Sequence, residues 1–416
     1  MDRRAGTILI IAYACEPNET SEPGVGWNFS KEISKRYDTV VLTRKNNQGA
    51  IESGTGNASK FIYYDLPRPL MKLKKKTPLG TQWYYGLWQW GAYRYAKKYM
   101  ANAQRKVMLV HHLNFAMTWL APPAFLIRQP FVWGPVGGGD YIPLRFFGDL
   151  STRAKFQEGF YALLNQAGRF SPFSYWARKK ADAILFRTES TMDNFPVPSG
   201  KPVTLMSETA SVFSNFKTKA WQLETRALCV GRLAYWKGFL YAVKGFHAYL
   251  QNGGKGTLEI FGEGSEKKTI EAYIEQHRLS DHIILKGFVD NATIKRKMEA
   301  ASVLLHPSFR DGGSWSIMEA MSLGLPVICL NTSGPKDMVG RTGGILIDLD
   351  TSEQLVSDIA MALSTLQTDA EGYERMSHQA SKRVEKEYNW KRRGQQIQAV
   401  YDQVLQNADK GTVVPE

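Results

Sequence analysis

The sequence predicts an α/β protein built from two Rossmann-like domains, each a parallel sheet covered by helices. Three observations lead there. At 416 residues the chain is too long for one ordinary hydrophobic core. Short apolar strands alternate with helix-length stretches across Gly-bearing turns, the pattern of repeated strand-helix units. One stretch interrupts the alternation, Pro196-Val-Pro-Ser-Gly-Lys-Pro202, whose composition marks a linker. Domains are therefore expected at 1–198 and 199–385, with 386–416 carrying a last helix from Trp390 to Leu405.

In the first half, strands are read at Thr7 to Ala14, Thr39 to Thr43, Phe61 to Tyr64, Val107 to Val110, Pro130 to Trp133 and Ala183 to Phe186. The first strand leads into a long turn, Cys15 to Gly26, and then a helix from Trp27 to Arg36. Gly24 and Gly26, in E-P-G-V-G-W, stand at that helix start, where bare backbone lets amides approach a ligand closely. Two other strands end at His111-His112 and at the turn G-P-V-G-G-G-D. Strand ends of an open α/β sheet face the ligand crevice, so both are candidate site positions.

The second half repeats the pattern, with strands at Ala227 to Val230, Leu258 to Phe261, Ile283 to Leu285, Ala301 to Leu305, Val327 to Leu330 and Gly344 to Ile347. After the strand ending at Leu305, a polar turn sets Asp311 directly before Gly312-Gly313. A helix follows, with Ser314 as its N-cap, apolar Ile317, Met318 and Met321, and a stop at Gly324 and Pro326. Glu319 lies eight positions after Asp311, inside that helix. The backbone amides of 312–316 (Gly312, Gly313, Ser314, Trp315, Ser316) crowd the helix start between two carboxylates, which suits a phosphorylated sugar. Upstream, A-L-C-V-G-R-L-A-Y-W-K-G-F-L places Arg232 and Lys237 in the turn after another strand, two cations able to neutralise a diphosphate.

With both stretches in view, the sequence resembles family 4 of the retaining GT-B glycosyltransferases. G-R-L-x-x-x-K-G matches that family's phosphate-binding motif at Arg232 and Lys237. Asp311-x7-Glu319 matches its paired-acid motif, with Asp in place of the more usual first Glu. The resemblance implies the GT-B fold, with a donor cleft between the domains and the last helix crossing back to the first. It implies a nucleotide diphosphate sugar donor (UDP- or GDP-sugar), retention of configuration and no required metal or cofactor. Phe288 and Val289 would hold the nucleobase, Glu319 the ribose and Asp311 the donor sugar. The loop with Gly24 and Gly26 would lie over the donor phosphates or the acceptor. Relatives often carry a histidine at the end of the second strand; the stretch from Gly134 to Gly139 occupies that place here, so the role is vacant or filled by His112. Asp348-Leu-Asp350 is a D-x-D, but it precedes a helix starting near Thr351 and reads as a cap rather than a metal site.

Composition narrows the partners. The 53 Lys and Arg against 39 Asp and Glu leave a net charge of +14, which calls for an anionic partner. No recognition module for nucleic acid is present. No apolar run approaches the roughly 18 residues that span a bilayer, and the N-terminal apolar stretch lacks the proportions of an export signal. Cys15, Cys229 and Cys329 are odd in number and widely spaced, as expected of buried thiols in a cytosolic protein. Two regions combine cations with aromatics: Arg68 to Lys106, with M-K-L-K-K-K before T-Q-W-Y-Y-G-L-W-Q-W-G-A-Y-R-Y, and Arg145 to Lys180. They suit either an anionic membrane surface or helices packed in the core. The expected function is sugar transfer to a saccharide or lipid-linked acceptor, by an enzyme peripheral to the inner face of the cell membrane. The alternatives are a soluble sugar-phosphate or small-molecule glycosyltransferase and a nucleotide-sugar epimerase on the same fold.

Overall fold

Thirteen short strands, alternating with helices, make two separate parallel sheets in a computed structural model that describes residues 6–74, 80–211 and 217–411. β1 (Thr7–Ile11), β2 (Asp38–Thr43), β3 (Lys60–Tyr63), β4 (Val107–His112), β5 (Phe131–Val136), β6 (Ala183–Phe186) and β7 (Val203–Leu205) form one sheet in the order β3-β2-β1-β4-β5-β6-β7. β8 (Thr225–Val230), β9 (Gly256–Phe261), β10 (Ile283–Gly287), β11 (Val303–His306), β12 (Val327–Leu330) and β13 (Gly344–Ile347) form the other, in the order β10-β9-β8-β11-β12-β13. Both are doubly wound, with the reversal of strand order beside the first strand of each. Burial follows the order. β1, β5, β6, β11 and β12 are buried throughout, whereas the edge strands β3, β7, β10 and β13 are partly exposed.

The chain divides into two compact units. The first comprises Met1–Gly139, Leu163–Glu208 and Trp390–Glu416, the second Asp140–Ala162 and Thr209–Asn389. This differs from the expected boundary in one respect of consequence: Asp140–Ala162 belongs with the second unit. Phe146, fully buried, explains why, since its ring meets Phe309 at 4.9 Å and Tyr241 at 6.0 Å, and the Tyr241 hydroxyl donates to Asp149 at 2.7 Å. The chain also stays with the first sheet past the Pro-rich stretch, because β7 pairs with β6.

In the first unit, the helix after β1 runs Ser21–Ile33 and therefore starts earlier than expected. Gly24 and Gly26 lie inside it rather than in a loop before it. Gly26 is needed for contact: a Cβ there would sit 2.1 Å from the Ala14 carbonyl oxygen. The aromatic stretch forms the helix Gly80–Asn102, which buries Tyr84, Tyr85, Trp88, Ala92 and Ala96 along one side and leaves Leu87 and Trp90 exposed on the other. Of the basic run before it, residues 75–79 lie outside the described residues. Cys15, Cys229 and Cys329 are buried, and burial pushes each thiol's pKa up. Among the described residues, no helix is long and apolar enough to cross a membrane.

The last helix, Trp390–Gly411, packs within the first unit against Ser21–Ile33 and β4. Trp390 meets Phe29, and Asp402 accepts from Tyr37 at 2.6 Å and pairs with Arg36 at 2.8 Å. The fully buried Tyr401 hydroxyl bonds His111 Nδ1 at 2.6 Å, while His111 Nε2 bonds the Gly134 carbonyl at 2.7 Å. Burial drops the His111 pKa to about 4, so the ring is neutral and its proton must donate to one partner and its lone pair accept from the other. Tyr401→Phe strands a buried ring nitrogen and is expected to cost about 1–3 kcal/mol of stability. Urea unfolding of the variant checks this; an unchanged midpoint would show that the bond does not anchor the helix.

Candidate functional site

In the second sheet, the strand order reverses between β8 and β11, which pair at Ala227↔Val303 and Leu228↔Leu304. The loops leaving these two strands diverge over opposite faces, and the crevice between them is where open α/β sheets bind ligands. Both sequence motifs fall there. The loop after β8 carries Arg232 and Lys237, and the loop after β11 carries Asp311 and Gly312-Gly313.

The two loops are joined by backbone contacts. Phe309 N donates to the Trp236 carbonyl at 2.9 Å, and the Ser308 hydroxyl donates to the same oxygen at 3.3 Å. Gly238, at φ 66°, begins the helix Phe239–Gln251, and a Cβ on it would lie 2.1 Å from the Pro307 carbonyl oxygen. Only glycine combines that left-handed backbone with so close an approach. As a result Lys237 Nζ reaches Asp311 Oδ2 at 2.6 Å, with both side chains largely shielded.

His306, the last residue of β11 and 1% exposed, bonds the same oxygen through Nε2 at 2.9 Å. Its Nδ1 is buried without a partner. Burial lowers the His306 pKa, so the neutral tautomer with the proton on Nε2 donates to the carboxylate. Burial alone would raise Asp311, but the Lys237 ammonium and the His306 bond outweigh it and hold the carboxyl well below the usual range. Asp311 Oδ1 accepts no hydrogen bond among the described residues.

A second layer holds these loops from beneath. Glu158, 2% exposed, accepts from the Tyr235 hydroxyl and from Arg310 Nη1, each at 3.0 Å. The Arg310 guanidinium lies 4.0 Å from the Tyr161 ring centre and 5.0 Å from that of Trp236. Sequence reasoning missed His306, Arg310 and Glu158. His306 and Arg310 flank the acidic motif and could have been found by proximity; nothing in the sequence ties Glu158 to this place.

Ser314 is the N-cap of the helix Trp315–Ser322, its Oγ accepting from Ile317 N at 3.5 Å. The Ser314 amide itself is turned to Met338 Sδ at 3.4 Å and leaves the set of expected phosphate donors. Glu319, on that helix, has no side-chain hydrogen bond among the described residues, and burial pushes its pKa up to about 7. Arg232 is exposed and makes no ion pair among the described residues, its guanidinium lying 5.9 Å from the Trp236 ring centre. It lines a cavity of about 350 Å³ together with Phe288 and Val289, beside the ends of β8 and β9. Thr351 caps the helix Ser352–Thr368, and Asp348 accepts from Asn331, a structural arrangement for the D-x-D.

Gly24, Gly26 and His112 belong to the first unit. His112 is 1% exposed, its Nε2 bonds the Tyr85 hydroxyl at 2.7 Å, and burial lowers its pKa to about 3. A neutral ring with that nitrogen engaged is a packing group behind the strand end, and no proton-transfer step is assigned to it. Nor do Gly24 and Gly26, inside a helix, offer the loop amides expected of them.

Known proteins resemble the chain in part of its sequence and in its fold. The model of the family "Glycosyl transferases group 1" matches residues 214–383, which contain both motifs. The poly(glycerol-phosphate) alpha-glucosyltransferase of Bacillus subtilis is 26% identical over 211 residues, 49% of this chain and 30% of that protein. Across the first three curated relatives, the chain spans between 29% and 64% of the relative's length. The sucrose-phosphate synthase of Thermosynechococcus elongatus superposes with a TM-score of 0.62 at 16% identity, over 97% of this chain and 100% of that one. HepE from Anabaena, solved with UDP and glucose, gives 0.59 at 14% identity, over 96% and 100%. The fold of the whole chain is GT-B, and the group 1 domain supplies its second sheet.

The raised Glu319 fixes a sign for pH dependence. Its carboxyl binds a proton more tightly when folded than when unfolded, so its contribution is greatest at low pH and is lost as pH rises from about 4.5 to about 7. In the ligand-free protein, Glu319→Gln removes the penalty. The variant should be more stable than wild type at pH 8, by up to about 3 kcal/mol, with the gap closing toward pH 4.5. Thermal unfolding at the two pH values measures it; a gap that does not depend on pH would contradict the assignment.

Proposed function

We propose that the protein is a retaining glycosyltransferase that moves a sugar from a nucleotide diphosphate donor to a saccharide or lipid-linked acceptor, without an obligatory metal. The observation that carries this is the convergence of Lys237 and Asp311, at 2.6 Å, in the crevice where the second sheet reverses, with Arg232 open beside it. In this reading Arg232 and Lys237 face the diphosphate, and neighbouring amides of the 312–316 turn assist. Phe288 and Val289 line the nucleobase side, and Glu319 accepts from the ribose hydroxyls. Asp311 Oδ1 accepts from a donor-sugar hydroxyl, while Oδ2 stays held by His306.

Asp311 is committed to its partners, which argues against a covalent glycosyl intermediate on it. Front-face displacement fits better. The bond from the sugar's anomeric carbon to the phosphate oxygen breaks, the acceptor oxygen bonds to that carbon on the same face, and the acceptor's proton passes to the departing phosphate. Charge grows on the leaving diphosphate, and fixed cations there stabilise the transition state more than the ground state.

The relatives supply the substrate class. HepE was solved with UDP, which favours a UDP-sugar over a GDP-sugar as donor. The Bacillus protein's name specifies glucose transfer to a polyol-phosphate polymer, which favours a phosphate-containing glycan as acceptor. A place at the membrane surface is supported by one face of the first unit. Leu163, Phe170, Tyr175 and Trp176 are exposed, and Lys179 and Lys180 stand alongside, Lys179 Nζ at 5.1 Å from the Trp176 ring. Exposed rings among cations suit an anionic headgroup layer at the inner face of the membrane.

Arg232→Ala and Lys237→Ala are each expected to lose on the order of 2–4 kcal/mol of transition-state stabilisation. Release of nucleoside diphosphate from a panel of UDP- and GDP-sugars, with bacterial glycan acceptors present, measures the loss. Near-normal turnover in both variants would refute the assignment, and an isomerised sugar formed from the donor alone would point to an epimerase.

A further inference from the structure

The first unit has a groove that the donor chemistry does not use. It is formed by the first half of the helix Gly80–Asn102, by the loop Trp119–Ala121 after β4, and by the start of the helix Pro172–Lys180. The cavity is about 580 Å³, and Trp83, Trp90, Trp119 and Phe173 stand in its walls, with the Trp90 and Phe173 rings 5.7 Å apart. Trp90 is 40% exposed, a large apolar surface left open to the groove.

Two buried polar groups sit among these rings. Gln89 and Ser174, 3% and 1% exposed, both line the cavity; the Gln89 side chain is turned to the Tyr85 hydroxyl, and Ser174 Oγ makes no hydrogen bond. Buried polar atoms are nearly always satisfied, and exceptions ask for an occupant that satisfies them. A small-molecule site of this kind combines aromatic walls with a few placed polar groups.

We infer that this groove binds a saccharide segment of the acceptor, an inference that rests on the glycosyltransferase reading above. A pyranose ring has a face of C–H groups that lies against an indole, and hydroxyls around its rim that would bond the Ser174 hydroxyl. An acyl chain would fill the apolar walls but leave that hydroxyl unpaired. The position agrees: β4 runs toward its carboxyl end just before Trp119, and the helix Pro172–Lys180 leads into β6. Both parts of the groove therefore stand on the side where the strands of the first sheet end, the ligand side of a doubly wound sheet.

The test is retention of the purified full-length protein on an immobilised array of bacterial surface oligosaccharides, beside flotation on phosphatidylglycerol vesicles and titration with UDP. Wild type should be retained by at least one oligosaccharide class, and Trp90→Ala and Trp119→Ala should each weaken retention on the order of tenfold. Ser174→Ala should weaken it too without lowering thermal stability, because the hydroxyl has no partner to lose within the fold. UDP affinity should be the same in all three variants. Absence of retention in wild type overturns the groove assignment, and so does retention unchanged in the variants. Vesicle binding lost in Trp90→Ala without any glycan retention assigns the groove to lipid instead. If wild type retains a glycan but binds no nucleotide, the groove stands and the glycosyltransferase reading fails.

Discussion

The contact on which the site depends is the shielded ion pair between Lys237 and Asp311. Neither charge is tolerable alone at that depth, and each is set on a loop whose course is fixed by something else. The loop after β8 is pinned by Gly238 against Pro307, and the loop after β11 is pinned by His306 and by the Trp236 carbonyl. The doubly wound order of the second sheet makes the meeting possible, because β8 and β11 are neighbours whose loops leave in opposite directions. A diphosphate entering there would give Lys237 a second anion and release part of its hold on Asp311. The apo pair thus keeps both groups placed and charged before a donor arrives, which is electrostatic preorganisation of the kind that lowers barriers.

Beneath that pair, the segment Asp140–Ala162 acts as a brace. Glu158 fixes Tyr235 and Arg310, the neighbours of Trp236 and Asp311, and Phe146 fills the core below Phe309. The cations that face solvent and those that face the site differ accordingly. Arg310 is neutralised within the fold, whereas Arg232 has no carboxylate partner among the described residues, and such a cation beside a cavity is what an anionic ligand needs.

Much of this was legible in the sequence because buried parallel strands are uninterrupted apolar runs between Gly and Pro. Ala183–Phe186, Val327–Leu330 and Gly344–Ile347 were read at the bounds the structure has, and Ser314 was read as the cap it is. The failures have physical causes. S-E-P-G-V-G reads as a turn by composition, but Pro is acceptable in a first helical turn, and Gly26 is there for close packing on Ala14. The aromatic stretch at 83–99 gave no single face because it has apolar residues on both, one side for the core and one for the groove. The placement of Asp140–Ala162 depends on where Phe146 finds a cavity, a long-range match that no local pattern records.

On the proposed function, the crevice at the reversal of the second sheet holds the donor's diphosphate with Lys237 at its centre. Calorimetric titration of UDP and GDP into wild type and Lys237→Ala is the decisive measurement. At least one of the two should bind wild type, and the variant should bind it more weakly by roughly tenfold to a hundredfold, the loss of one charge-assisted hydrogen bond. Binding of neither nucleotide, or equal binding by wild type and variant, would contradict that reading.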